Sequence, residues 1–376
     1  MSLNNSAARA ALALLLVGCA PAGGARPDWS AREAALPAAA ASAPAWVDIT
    51  WLSVTNVYLR IGAIGILTDG YVTRLPENAF VDKTMARSRA AYRPDSAAVA
   101  RVAALLGGRD AVQALLIGHS HFDHAFDAAT WAKLTRAEVY GPRSTCFQLE
   151  AQDVPASRCT TVEGGEAVPL GEGVTVRVVR WNHSGDHAVN PELHDPVELA
   201  RVPTRDPSNG GLRPGVTEDF PNGGGSRAYL ITVPARDGGL TIFFSNTGSP
   251  VDLDRPIVVG GTNFGAPIDN LRAALRDAGL GSVDLWIAGG GAPLARLVLP
   301  VLRPKAYLPV HWDDYFSPLV AGVAKPYADA ALESLLDSAG VKLVRPAQYL
   351  DRWRLDRSGV HAVANDAQKR ALGLSR

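Results

Sequence analysis

His119-Ser120-His121-Phe122-Asp123-His124 is the stretch on which the reading of this 376-residue chain turns. The chain holds eight histidines, and three of them fall inside that one short segment. Immediately upstream, residues 114–117 are wholly apolar, the pattern of a strand buried on both faces, so the cluster begins at a strand's carboxyl end. His119 and His121 then project to one side, while Asp123 and His124 follow in the turn and face a second point nearby. Neutral imidazoles and carboxylates are the ligands zinc prefers, so the segment can serve two ions. Two adjacent cations acidify a shared water and clamp the attacked and leaving oxygens.

Working outward, a domain is predicted over residues 46–356. Residues 47–61 alternate apolar and polar side chains and 64–72 follow Gly62, which reads as an opening strand pair. Ser96 is the predicted N-cap of a helix whose apolar face is Val99, Val102, Ala103 and Leu106 and whose end is Gly107-Gly108. A helix over 125–134 and two strands within 168–181 around Gly171-Glu172-Gly173 come next. Residues 227–233 and 240–245 pair across Asp237-Gly238-Gly239. The last third alternates, with helices over 268–278, 294–302 and 327–338 and strands over 283–287, 306–310 and 341–344. A strand-rich half followed by an alternating half fits an α/β fold of two packed sheets with helices outside. Residues 188–225, crowded with Pro, Gly, Asn and charge, are predicted to be a lid, because both ends abut strands that carry candidate ligands. Residues 357–376 read as a polar tail that includes His361.

Lys plus Arg equals Asp plus Glu at 37 each, so charge gives no nucleic-acid footprint and does not name a substrate. Arg9 precedes an apolar run over 10–17 that is too short to span a bilayer, the form of an export leader over 1–18. Leu16-Val17-Gly18-Cys19 resembles the bacterial lipobox, which implies that Cys19 becomes a lipidated N-terminus and that the protein is exported and anchored to the cell envelope on the periplasmic side. A plain secretory peptide cut elsewhere is the alternative. Residues 19–45, rich in Ala and Pro, read as a tether. An oxidising compartment permits a bridge between Cys146 and Cys159, and two unrelated buried thiols remain the other reading.

His119 to His124 resembles the H-x-H-x-D-H signature of the metallo-β-lactamase superfamily. The resemblance continues in order along the chain. His183, reading Asn-His-Ser-Gly, resembles the third ligand to the first metal. His311, reading Pro-Val-His-Trp-Asp-Asp, resembles the last ligand to the second. That Pro-x-His-Trp form is most similar to the branch containing N-acyl-phosphatidylethanolamine phospholipase D and ascorbate-phosphate lactonase. The resemblance implies a four-layer αββα sandwich, one metal on His119, His121 and His183, and another on Asp123, His124 and His311. It implies zinc, one ion or two, with Mn²⁺ and Fe²⁺ as further candidates. It also implies a hydrolase in which Asp123 orients a metal-bound hydroxide against a small-molecule or lipid-like ester, lactone or phosphodiester.

One position departs from that pattern. After the strand over 240–244 the family places an aspartate that bridges both metals, and this chain has Asn246. An amide oxygen can ligate zinc but bridges poorly and leaves the cluster about one unit more positive, which favours anionic substrates. Asp252 or Asp254 is a possible substitute. Trp312 and Asp313 are expected to line the substrate pocket or to support a ligand histidine, and His187 to touch substrate. The rival class is a metal-binding lipoprotein without turnover that acts as a binding or sensing module. Nothing in the sequence names an oligomeric state.

Overall fold

The computed structural model describes residues 46–186, 188–234 and 239–374. The predicted leader, Cys19, the tether, His187 and the Asp237-Gly238 turn lie outside the described residues.

Strands β1 (Trp46–Ser53), β2 (Asn56–Ile61), β3 (Ile64–Thr68), β4 (Ala114–Leu116), β5 (Glu138–Gly141) and β6 (Cys159–Thr161) come first along the chain. They are followed by β7 (Ala167–Gly171), β8 (Val174–Trp181), β9 (Ser226–Val233) and β10 (Leu240–Ser245). A short ribbon of β11 (Val258–Val259) and β12 (Thr262–Asn263) stands apart. Strands β13 (Val283–Ala288), β14 (Pro304–Pro309), β15 (Lys342–Leu343), β16 (Arg352–Asp356) and β17 (Gly359–Val363) complete the set. One sheet runs β17-β16-β1-β2-β3-β4-β5-β6 and the other β15-β14-β13-β10-β9-β8-β7.

Side-chain alternation explains why the sheets stack. On β9, Tyr229, Ile231 and Val233 join Ile242, Phe244, Leu285 and Ile287 in the core between the sheets. Their neighbours Ala228, Leu230, Phe243 and Trp286 face the other way, onto the helices Pro267–Asp277, Ala292–Leu302 and Ala330–Ser338. Each fully buried Leu, Ile or Phe contributes roughly 1.5–3 kcal/mol, so neither face can be left to water. The helix Ser96–Leu106 packs Val99 and Val102 onto the first sheet, beside Trp131 of the helix Ala128–Leu134. The result is the expected order of helices, sheet, sheet and helices.

Several local expectations are revised. Asp95 rather than Ser96 caps the first long helix, accepting from Ala98 N at 2.9 Å. The predicted polar tail is structured: β17 pairs with β16, Val360 is buried, and the helix Asp366–Leu372 packs on Ser96–Leu106. Alternation over so few residues is too weak a signal to separate an edge strand from a tail. Cys146 and Cys159 form a disulfide with a Cα–Cα distance of 5.4 Å, joining the helix Arg143–Ala151 to β6. Among the described residues no helix is long and apolar enough to cross a membrane.

Candidate metal centre

The parallel strands β3 and β4 of one sheet, and β10, β13 and β14 of the other, put their carboxyl ends at the same edge of the sandwich as that of β8. Every candidate ligand follows one of those ends. After β4 the backbone is fastened to both sheets, because Gly118 N donates to Asp69 Oδ1 at 2.7 Å and Arg227 N donates to Gly118 O at 2.6 Å. A Cβ at position 118 would lie 2.1–2.5 Å from the Asn246 side chain, so only glycine fits there. His121 then precedes the short helix Phe122–Ala125, which carries Asp123 and His124.

Two groups result. The rings of His119, His121 and His183 are mutually edge-on, with centroids 4.6, 4.6 and 4.7 Å apart. His311 Nε2 lies 3.1 Å and His124 Nε2 lies 3.4 Å from Asp123 Oδ2. Within each trio, one ligand atom per residue can be chosen so that all three lie within 4.8 Å of one another. His311 reaches its place with φ of +61°, and its N–H donates to the carbonyl of Val54, itself at φ of +46°. Left-handed backbone at two non-glycine residues is strain of the kind stored at functional sites.

The electrostatics suit a cation. Burial, reinforced by the neighbouring imidazoles, holds the pKa values of His119 and His121 well below the ordinary histidine range, and burial brings His183 down to about 3. All three are therefore neutral, each with a lone pair to give. Burial alone would raise Asp123, but His124 and the hydrogen bond and charge of His311 outweigh it, so its carboxyl titrates below the usual range. Burial pulls His311 down, and Asp123 more than compensates, leaving its pKa raised. His121 Nε2 is buried with no partner. Three imidazoles withdrawn from water with so few hydrogen bonds fit a site built for an ion with N and O ligands.

Asn246, which stands where the bridging aspartate is expected, touches one histidine of each group. Its side chain is fully buried, and Nδ2 lies 3.0 Å from Asp69 Oδ2, 3.1 Å from His119 Nδ1 and 3.2 Å from His124 Nδ1. Asp252 is no substitute, because its Oδ2 is 2.8 Å from His194 Nε2 and its Oδ1 3.3 Å from Arg255, and Asp254 is exposed. Both oxygens of Asp313 accept from Val54 N, at 2.9 and 3.0 Å, so Asp313 fixes the turn that carries His311 while also lining the cleft beside it. Trp312 stacks on Trp51 with centroids 5.3 Å apart and lines a cleft of about 700 Å³ together with His311, Lys325 and Tyr327. A second cleft of about 310 Å³ runs past His183, His194, Pro196, Ile257 and Val258.

Asp69 was not legible as a site residue. It ends the reach of β3 with φ of +53°, is fully buried, and accepts from Thr55 Oγ1 at 2.6 Å and His124 Nδ1 at 2.9 Å. A lone aspartate before Gly70 carries no spacing signal; the apolar strand ahead of it is the one available hint. The predicted lid over 188–225 is a packed cover in its second half, where Leu212 and Phe220 are buried and Tyr92 pairs with Leu212. Arg227 Nη1 donates to Gly223 O at 3.1 Å, and a Cβ on Gly223 would meet Ser120 Oγ at 2.3 Å, so this cover rests directly on the ligand-bearing turn.

No protein-family model and no curated protein matches the chain. Similar solved structures include Igni18, a metallo hydrolase from the archaeon Ignicoccus hospitalis, at 12% identity over 83% of this chain and 99% of that one, with a TM-score of 0.46. The metallo-β-lactamase fold protein YhfI from Bacillus subtilis is similar at 9% identity over 83% of this chain and 100% of that one, with a TM-score of 0.44. CmlA, a diiron β-hydroxylase from Streptomyces venezuelae, is similar at 15% identity over 83% of this chain and 54% of that one, also with a TM-score of 0.44.

Proposed function

We propose that this chain is a metal-dependent hydrolase of the metallo-β-lactamase superfamily. The observation that carries the reading is the pair of trios, His119–His121–His183 and Asp123–His124–His311, gathered at one edge of a two-sheet sandwich. Divalent ions held there, zinc, manganese or iron, supply Lewis acidity and lower the pKa of water. The chain's own residues do the rest. The five histidines and Asp123 would hold the ions, and Asp123 would also orient an attacking oxygen.

The cleft beside His183 sets Pro196, Ile257 and Val258 beside Arg255, Asp195 and Asp252, and the cleft beside His311 sets Trp312 and Tyr327 beside Lys325, Asp313, Asp314 and Asp329. The apolar walls suit a substrate with an apolar body and an ester-like centre, such as an ester, lactone or phosphodiester, and the lining charge does not choose among them. With Cys19 lipidated, the enzyme would work at the envelope surface on small or lipid-like molecules.

The test is metal analysis of the purified full chain, followed by assay of the zinc-, manganese- and iron-loaded forms on chromogenic phosphodiesters, lactones, esters and a cephalosporin. Bound metal with turnover of one class is expected. An uncharged amide at Asn246, where the family places a bridging aspartate, favours a second reading, a metal-binding module without turnover. Bound metal with silence on every substrate would establish that reading instead.

A further inference from the structure

Ser120 stands between two ligands of the first trio, His119 and His121, and its carbonyl is held from outside the metal centre. Gln148 Nε2 donates to Ser120 O at 3.2 Å and to Asp219 O at 2.8 Å. Both acceptors are carbonyls, so the amide nitrogen must face them and give one hydrogen to each. Gln148 is fully buried, and its Oε1 has no hydrogen-bond partner among the described residues. An amide oxygen buried unpaired destabilises a fold, and a Leu or Met would fill the same space without that penalty. The amide does what neither could: it bridges the ligand-bearing turn at Ser120 and the cover at Asp219.

The helix that carries Gln148, Arg143–Ala151, is a fixed platform for this bridge, tied to β6 by the Cys146–Cys159 disulfide. Thr145 Oγ1 of the helix lies 2.9 Å from Ser120 Oγ. The early part of the cover hangs on the start of the helix, where Ser144 Oγ accepts from Leu199 N at 2.8 Å and Arg143 Nη2 lies 2.8 Å from Glu198 Oε2. The later part is anchored at Asp219, whose carboxylate accepts from Arg213 N at 2.8 Å and so moves with the residues between them. Groups behind a ligand set its orientation, and a shift of the Ser120 backbone moves the imidazoles on both sides of it.

We propose that Gln148 is a positioning residue that couples the cover to the metal centre: an ion on His119, His121 and His183 fixes the Ser120 turn, and through Gln148 that turn holds residues 212–222 down. Coupling of this kind is reciprocal, so seating the cover raises the affinity of the first trio by the same factor. The inference rests on the metal-centre reading above.

The test is amide hydrogen exchange of the full chain, followed peptide by peptide with and without zinc, beside a zinc-binding titration. In the wild type, zinc should slow exchange over residues 212–222 by about tenfold, within the ordinary range of coupling between two sites. Gln148→Met keeps the volume and removes both donors, so it should cut that response to about twofold or less and weaken zinc binding by about the factor lost. Ser144→Ala loosens the other end of the cover, and it should speed exchange around Leu199 while leaving the zinc response over 212–222 in place. Wild-type exchange over 212–222 that ignores bound zinc overturns the proposal, as does a Gln148→Met protein that keeps the full response. A Ser144→Ala protein that loses the response as completely as Gln148→Met also overturns it, since general loosening would then suffice. A wild type that binds no zinc overturns the metal-centre reading itself, a result separate from the other three.

Discussion

Asp69 accepts the Nδ1 proton of His124 across 2.9 Å, and neither side chain is more than 1% exposed. A carboxylate behind a ligating imidazole fixes its tautomer and raises its basicity, and removing such a partner costs about 10- to 100-fold in metal affinity. Asp69→Asn is therefore expected to weaken the ion on Asp123, His124 and His311 by that factor while sparing the other trio. Calorimetric metal titration of the variant checks this.

Gly118 has no room for a side chain, since a Cβ would lie 2.1 Å from Asn246 Nδ2. Gly118→Ala should push the amide off Asp69 and His119 and destabilise the fold by roughly 3 kcal/mol, as overpacking does. Denaturant unfolding measures the loss, and metal content of whatever folds shows whether the centre survives.

Asn246→Asp sets two carboxylates about 3 Å apart where an amide now donates to Asp69. Like charges sharing a buried site cannot both ionise freely, so the metal-free variant should be less stable by about 2 kcal/mol. Added metal relieves that repulsion, so the rise in melting temperature on loading should exceed that of the wild type.

Asp127 offers a pH signature away from the ligands. It accepts from Val72 N and Thr73 N, each at 2.6 Å, and from Thr73 Oγ1 at 2.6 Å, yet burial outweighs these bonds and pushes its carboxyl up to about 6. A folded-state value above the unfolded one means that the native protein holds the proton more tightly. The stability due to this group is thus fully present below about pH 4 and is lost as pH rises through about 6. Asp127→Asn should remove this slope. With chelator present, the stability difference between wild type and variant is expected to change by about 2–3 kcal/mol between pH 4 and pH 7.

The Cys146–Cys159 bridge closes a separation of 13 residues. Replacing both cysteines with serine should cost about 3 kcal/mol in the chain-entropy model and leave metal stoichiometry unchanged. Denaturant midpoints of the two proteins decide it.

The four-layer order was legible because strands such as β4 are apolar runs bounded by turns, and because histidines follow the carboxyl ends of β4, β8 and β14. What periodicity could not convey is which partner stands behind a ligand. Asp69 and Thr55 come from the first hairpins, and their meaning depends on β3 lying beside β4, a long-range pairing that leaves no local trace. The same holds for Asp313, which lines the cleft as its place beside His311 suggests but whose carboxylate also bonds a backbone N–H 259 residues away. His311 was readable from its strand end, whereas its left-handed backbone was not.

The His311–Val54 backbone bond ties the last ligand to the first hairpin of the sandwich. A chain emerging from the ribosome therefore displays His119 to His124 long before it can close the second trio. Ion capture at that trio could be completed only after the final third has docked, so a full complement of metal would mark a finished fold.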